Sequence, residues 1–339
     1  MPAAYAAKKL PVLFLYNVEP DWSPLETEEA LACNLRMVDA LRRAGHPVRR
    51  AELNHDALER LLDRRASAEH IVFNQCESLP GIPYSEHLVV TLLEQAGFAY
   101  TGSPPDTIRL AGDKAETKRL LEMHGIPTPA WQVFDDDASG DWNLFPAIVK
   151  TTREHCSLGL NAQSVVRDHR ELRARIAYIR ANFHQPALVE DFIDGREFHV
   201  ALWGNGVPAV LPVVEMDFSA FGDLRDRLCT YDAKFIPESN HYQAIESRIP
   251  APLTEGQRHR LEHICRETYR VFGCRDYARL DIRMRGDDFL VLDVNPNADL
   301  DSEASIAAAA EQSGIGYPEL LSSLVRLAAE RHPLYAADA

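Results

Sequence analysis

An apolar run, Pro11-Val12-Leu13-Phe14-Leu15-Tyr16, opens the ordered pattern of the chain and predicts a buried first strand. A helix is predicted from about Glu26 to Ala44, closed by Gly45. Val48 to Leu53, a helix to about Arg65, and Ile71-Val72-Phe73-Asn74 continue the alternation of strand and helix. Such alternation predicts a parallel sheet covered by helices. Glu86 to Ala96 predicts a further helix, stopped by Gly97.

The Gly-, Ser- and Pro-rich stretch Tyr100 to Pro105 marks a domain boundary. Beyond it lie a charged helix, Asp113 to His124, and strands at Ala130 to Phe134 and Pro146 to Thr151, separated by an acidic, mobile stretch from Asp135 to Asp141. A helix from Asp168 to Asn182 leads to a strand at Ala187 to Phe192, and strands are expected to dominate until the helix Glu255 to Phe272. A hairpin spans Tyr277 to Asn295, and helices flank Gly314-Ile315-Gly316. The expected division is an N-terminal parallel α/β domain (1–103), a central α+β domain (104–187), a C-terminal α+β domain (188–330) and a tail (331–339).

The length, 339 residues, agrees with two or three packed subdomains. A net charge of -15 argues against a nucleic-acid partner, which selects basic surfaces. No apolar run reaches the ~18 residues of a membrane span, and no export segment is expected in Met1 to Asp21, where the apolar stretch Leu10 to Leu15 reads better as a buried strand. The six cysteines lack metal-ligand spacing and are expected to be thiols in a reducing, cytoplasmic compartment.

The hairpin carries the clearest chemistry. Side chains alternate along a strand, so Arg279, Asp281 and Arg283 share one face and Leu280, Ile282 and Met284 the other. On the return strand Asp293 and Asn295 oppose Leu292 and Val294. A three-residue turn at 286–288 would set Asp281 opposite Asp293 and Arg279 opposite Asn295. Two carboxylates and an amide beside one arginine suit a hard cation such as magnesium. A solvated face laced with ion pairs is the alternative.

Two other segments are weaker alone. Lys150 ends a strand and a polar loop from Thr151 to Gly159 follows, which suits a phosphate site but, without the GxxxxGK[ST] pattern, equally reads as a surface loop after a strand. Glu190 and Glu197 flank a turn where they can accept hydrogen bonds from a base and a ribose, or simply face solvent.

Taken together, the segments resemble the D-alanine–D-alanine ligase family of the ATP-grasp superfamily over residues 10–325. Tyr100-Thr101-Gly102-Ser103, Gly112-Asp113-Lys114 with Lys118, and Gly125-Ile126-Pro127-Thr128-Pro129 match its approach to the central domain. Val149-Lys150, Arg153-Glu154 and Ser157-Leu158-Gly159 match its phosphate-covering loop, and Ala233-Lys234-Phe235 its Lys-Tyr element. The resemblance implies an ATP-grasp ligase that joins a carboxylate to an amine through an acylphosphate. It implies that Lys114, Lys150, Lys234 and Ser157 hold ATP phosphates, and that Glu190 and Glu197 hold adenine and ribose. Asp281, Asp293 and Asn295 would hold Mg2+, two ions by the family pattern with Mn2+ as a substitute, and Arg279 would stabilise the oxyanion. A homodimer is a family expectation.

Two departures concern substrates. Glu28 can fill the family's first-substrate glutamate position, but Cys156 stands for its serine and Phe235 for its tyrosine, so the usual Glu–Ser–Tyr hydrogen bonding is lost. After Asn295, Asp299 stands for a glycine and Ala304 for the serine that binds the second substrate's carboxylate. Asp301 or Ser302 is also a candidate helix cap. The leading expectation is therefore a specialised peptide or amide ligase. A D-alanine–D-alanine or D-alanine–D-lactate ligase, and an inactive nucleotide-binding protein, are the alternatives.

Overall fold

The structure, a computed structural model, describes residues 9–54, 69–135, 142–154, 157–236 and 238–336. β1 (Val12–Tyr16) pairs in parallel with β2 (Val48–Glu52) on one side and β3 (Ile71–Gln75) on the other. Every residue of β1 is buried, which explains its unbroken apolar run. α1 (Pro24–Arg43) starts at Ser23, whose side chain accepts from the Glu26 amide while the Glu26 carboxylate accepts from the Ser23 amide. The helix expected before Arg65 lies largely outside the described residues. α2 (Glu86–Gln95), α3 (Pro105–Ala111) and α4 (Lys114–Met123) follow, the last capped by Asp113, which accepts from two amides of its first turn.

The central domain is an antiparallel sheet in the order β4 (Trp131–Phe134), β7 (Ala187–Asp191), β5 (Ala147–Thr151), β6 (Val165–Val166). α5 (His169–Phe183) buries Leu172, Ile176 and Ile179 against Ala147, Val149 and Val189. β7 pairs with β4 through Glu190 and with β5 through Asp191, so the change of sheet falls in the turn after it rather than at residue 187. Of the acidic stretch expected to be mobile, all but Asp135 lies outside the described residues, which resume at Trp142.

The C-terminal sheet has the order β11 (Glu246–Arg248), β10 (Val214–Asp217), β8 (Glu197–Trp203), β12 (Tyr277–Arg285), β13 (Asp288–Asn295), with β9 (Ala209–Val210) on β8. Two short helices, α6 (Tyr231–Phe235) and α7 (Asn240–Ala244), interrupt the stretch expected to be strands. Thr230 and Ser239 cap them through their hydroxyls. α8 (Glu255–Val271) buries Leu261, Cys265 and Tyr269 on the apolar face of β8, β12 and β13, where Leu121 of α4 joins them.

α9 (Ser305–Gln312) and α10 (Tyr317–Ala329) share one core with β1, β3 and α1, which joins the N- and C-terminal domains. Beyond α10, Arg331 donates to both oxygens of the buried Asp276 at 2.8 and 2.7 Å and to the Tyr100 carbonyl at 2.7 Å. Asp276 also accepts from the Gly102 amide at 2.9 Å. A Cβ at Gly102 would lie 2.3 Å from Asn297 Oδ1, and its φ of 99° also requires glycine.

Candidate active site

β12 and β13 set Arg279 opposite Asn295 and Asp281 opposite Asp293, the register expected from the sequence. The route to it is different. Arg285 pairs with Asp288, so the turn has only Gly286 and Asp287. Ile282 then faces Val291 while Asp281 faces Asp293, which makes Leu292 the extra residue of a β-bulge. The bulge restores the register that a three-residue turn would have given.

Arg279 holds Asp281 through two parallel bonds, Nε–Oδ1 at 2.7 Å and Nη2–Oδ2 at 3.0 Å. Asn295 Nδ2 donates to Asp281 Oδ2 at 3.2 Å and to the Arg279 carbonyl at 3.3 Å. Burial works against the Arg279 charge, but Asp281, Asp299 and Asp293 outweigh it and raise its pKa. The guanidinium is a fixed cation. Asp281, Asp293 and Asn295 thus form an oxygen-bearing, half-buried donor set on one face of the sheet, which fits a hard divalent cation.

β8 extends the polar face, with His199 opposite Asp281 and Glu197 opposite Arg283. Arg283 is buried; it donates to Glu197 Oε2 at 2.7 Å, to the Ile193 carbonyl at 2.7 Å and to the Arg227 carbonyl. Burial pushes the Glu197 carboxyl up, yet Arg283 and His199 hold it below the usual carboxylate range. One oxygen of the expected ribose ligand is therefore already committed. Strand alternation places Arg283 on this face but does not reveal its role as the tie between β8, β12 and the two loops above them.

Lys150 on β5 lies 2.5 Å from Glu190 Oε2, and Lys118 on α4 lies 2.8 Å from Glu190 Oε1. Lys118 also donates to Thr128 Oγ1 at 2.8 Å and to the Val291 and Leu292 carbonyls at 3.2 and 3.0 Å. The carbonyls beside the bulge are thereby bound from the central domain. Burial would raise the Glu190 carboxyl, but the two lysines bring it down to about 2. The same burial lowers the Lys118 pKa. The signal for Lys118 is its spacing from Ala115 and Leu121, three residues either side, which puts it on the buried face of α4.

Lys118 and Glu190 are each 1% exposed, so losing one partner leaves a buried charge under-compensated. Lys118→Met is expected to cost about 3 kcal/mol, the lower end for a broken buried pair, since Lys150 remains with Glu190. Urea denaturation followed by circular dichroism measures it. A loss below about 1 kcal/mol, within the range of an exposed pair, contradicts the assignment.

The described residues of the loop after β5 reach several parts of the structure. Lys114 Nζ donates to the Glu154 carbonyl at 2.5 Å. The Glu154 carboxylate accepts from Tyr84 of the N-terminal domain, and from Gln185 Nε2 at 2.8 Å. Ser157 Oγ donates to the Cys229 carbonyl at 2.8 Å. Gly159 has φ 75°, and a Cβ there would lie 2.5 Å from Phe183 Cζ. The loop thus touches all three domains. Cys156 lies outside the described residues, as do the side chains of Lys234 and Phe235 on α6.

Glu28 is exposed on α1. Asp299 is exposed, accepts from the Asp301 amide at 2.8 Å, and acts electrostatically on Arg279. Neither Asp301 nor Ser302 caps α9: the cap residue is Ala304, which offers no side-chain oxygen. Asp301 instead binds Arg36 at 2.5 Å and accepts from the Glu303 amide at 2.9 Å. Pairing with α1 draws it away from the helix end.

This fold recurs in known proteins. The chain superposes on the crystal structure of D-alanine–D-alanine ligase from Bacillus anthracis complexed with ATP, with a TM-score of 0.73 and 18% identity, covering 97% of this chain and 100% of that one. The architecture is that of the ATP-grasp ligases. Residues 120–326 match the family model for the D-ala D-ala ligase C-terminus. The chain is 31% identical over 313 residues to D-alanine–D-alanine ligase of Desulforudis audaxviator, covering 90% of this chain and 95% of that protein. It is 33% identical over 303 residues to uncharacterized protein y4sG of Sinorhizobium fredii, covering 87% of each. The chain belongs to the D-alanine–D-alanine ligase family. It is an ATP-dependent, ADP-forming carboxylate–amine ligase acting on small molecules with ATP and Mg2+. Among the described residues no helix is long and apolar enough to cross a membrane.

Proposed function

We propose that this chain makes an amide from an amino-acid-like carboxylate and an amine other than D-alanine, in the cytoplasm. The observation that carries this is Asp299, an exposed carboxylate acting on Arg279, with Ala304 in place of a hydroxyl-bearing residue. A second substrate held by its own carboxylate would meet like charge there, whereas a cationic or carboxylate-free amine would not.

In this reading Lys114, Lys150, Ser157 and Lys234 hold the phosphates, and Glu190 and Glu197 face the nucleoside. Asp281, Asp293 and Asn295 would hold magnesium, two ions by the family pattern. Those ions would neutralise charge that builds up during phosphoryl transfer to the carboxylate. Arg279, already oriented by Asp281, stabilises the oxyanion when the amine attacks the acylphosphate. The 153–159 loop shields that acylphosphate from water. Glu28, Cys156 and Phe235 border the first substrate without the usual hydrogen-bonded set. An oxyanion arginine, Arg279, set beside Asp281, Asp293 and Asn295 also argues against an inactive nucleotide-binding protein, since binding ATP alone has no use for that arginine. ADP release against a panel of D- and L-amino acids, amines and diamines tests the reading, and turnover confined to D-alanine refutes it.

Lys150 gives a second check. Its ammonium leaves Glu190 for a phosphate when nucleotide binds, and a charge-assisted hydrogen bond contributes roughly 1.5–3 kcal/mol. Lys150→Ala is therefore expected to weaken ATP binding about 10- to 150-fold by isothermal titration calorimetry. Unchanged affinity would remove Lys150 from the phosphate site.

A further inference from the structure

The polar face of the C-terminal sheet holds a second group of donors with a different chemical character. Glu197 and His199 on β8 are both buried, and Cys229 reaches them from the segment before α6. Their ligating atoms, one oxygen, one nitrogen and one sulfur, all lie within 4.8 Å of one another. His199 Nε2 stands 3.5 Å from Glu197 Oε1, beyond the usual N–H···O distance. Two ligands bound at about 2.0–2.1 Å to a tetrahedral ion lie roughly 3.4 Å apart.

We propose that Glu197, His199 and Cys229 bind a divalent transition-metal ion of the zinc class, distinct from magnesium. Thiolate and imidazole donors select such ions, while magnesium selects oxygen. Three protein ligands, of which Cys229 is the least buried, leave a fourth position for water or a substrate atom. The supporting shell is already built. Arg283 fixes the other Glu197 oxygen at 2.7 Å, and Ser157 fixes the Cys229 carbonyl at 2.8 Å. Binding requires the Cys229 thiol to pass its proton to the buffer as the sulfur–metal bond forms. Because Ser157 belongs to the phosphate loop and Glu197 faces the proposed nucleoside, an ion here would sit where loop and nucleotide meet. That last consequence rests on the proposed nucleotide placement, while the ion site does not.

Cobalt(II) titration of the full-length protein, with Mg2+ in excess and no nucleotide, tests the site. A thiolate-to-cobalt charge-transfer band is expected, saturating at one equivalent and displaced by zinc. Cys229→Ser should abolish the band, and His199→Asn should weaken cobalt binding at least about tenfold. Asp293→Ala should leave the band in place, which separates this site from the magnesium set. Thermal melts establish that each variant is folded. No band in the wild-type protein, or a band that persists in folded Cys229→Ser, overturns the proposal. Competition between zinc and an ATP analogue is a separate measurement. Its failure with the band intact would count against the nucleotide placement alone.

Discussion

Asp293→Ala is expected to abolish ADP formation, lowering kcat at least about 1,000-fold, while the protein stays folded. Charge compensation at a transferring phosphoryl group contributes several kcal/mol, and ~4 kcal/mol corresponds to that factor. The fold survives because Asp293 is half-buried and accepts a local hydrogen bond, from the Val294 amide at 3.1 Å. Asp293 also sits among other acids, so its removal relieves repulsion as well as losing attraction to Lys118 and Arg279. Asp281 makes a poorer probe. It holds Arg279 at 2.7 and 3.0 Å, and truncating it would strand a largely buried cation. Single-turnover ADP release together with a thermal melt decides the matter. An active Asp293→Ala enzyme would remove the residue from the magnesium set.

The second large effect concerns D-alanine. With D-alanine as sole substrate, kcat/KM is expected to fall about 100- to 1,000-fold below that for the best amine in the panel. The missing hydroxyl at Ala304 removes a hydrogen bond to a charged group, worth roughly 1.5–3 kcal/mol. Asp299 adds like-charge repulsion of about 1 kcal/mol at 4 Å in a water-like dielectric, the fitting value for an exposed carboxylate. Each 1.4 kcal/mol is about tenfold. The double variant Asp299→Gly/Ala304→Ser should recover much of the loss. A wild-type enzyme that uses D-alanine as well as any other amine would establish the cell-wall reading.

The three-domain order and the Arg279, Asp281, Asp293, Asn295 face are legible in the sequence because both depend on short-range rules. Strand alternation assigns faces without reference to the rest of the fold. Lys118 and Arg283 are harder to read, since each acts through partners far along the chain: Glu190 for one, Glu197 and the Ile193 carbonyl for the other. Burial of a lysine is decided by its distant carboxylate. The caps of α6 and α7 are written at Thr230 and Ser239, but helices of five residues carry too little periodicity to show. Asp301 reads as a helix cap because Arg36, its partner, lies far off on α1.

The bulge at Leu292 bears on how the chain tolerates insertion. The turn does not set the pairing of Asp281 with Asp293 alone, because the carbonyls beside the bulge are gripped by Lys118 and by Thr128, which donates to Val291 at 2.7 Å. The tip is loosely held by comparison: Asp287 is 75% exposed and meets Arg260 and Gln257, both on the surface of α8. Length changes at Gly286-Asp287 should therefore be absorbed at the surface, making this tip a site for grafting a peptide tag or reporter. One residue inserted between Asp288 and Val291 would instead strain the strand against its anchored end, and lost turnover in that variant alone would map where the register is held.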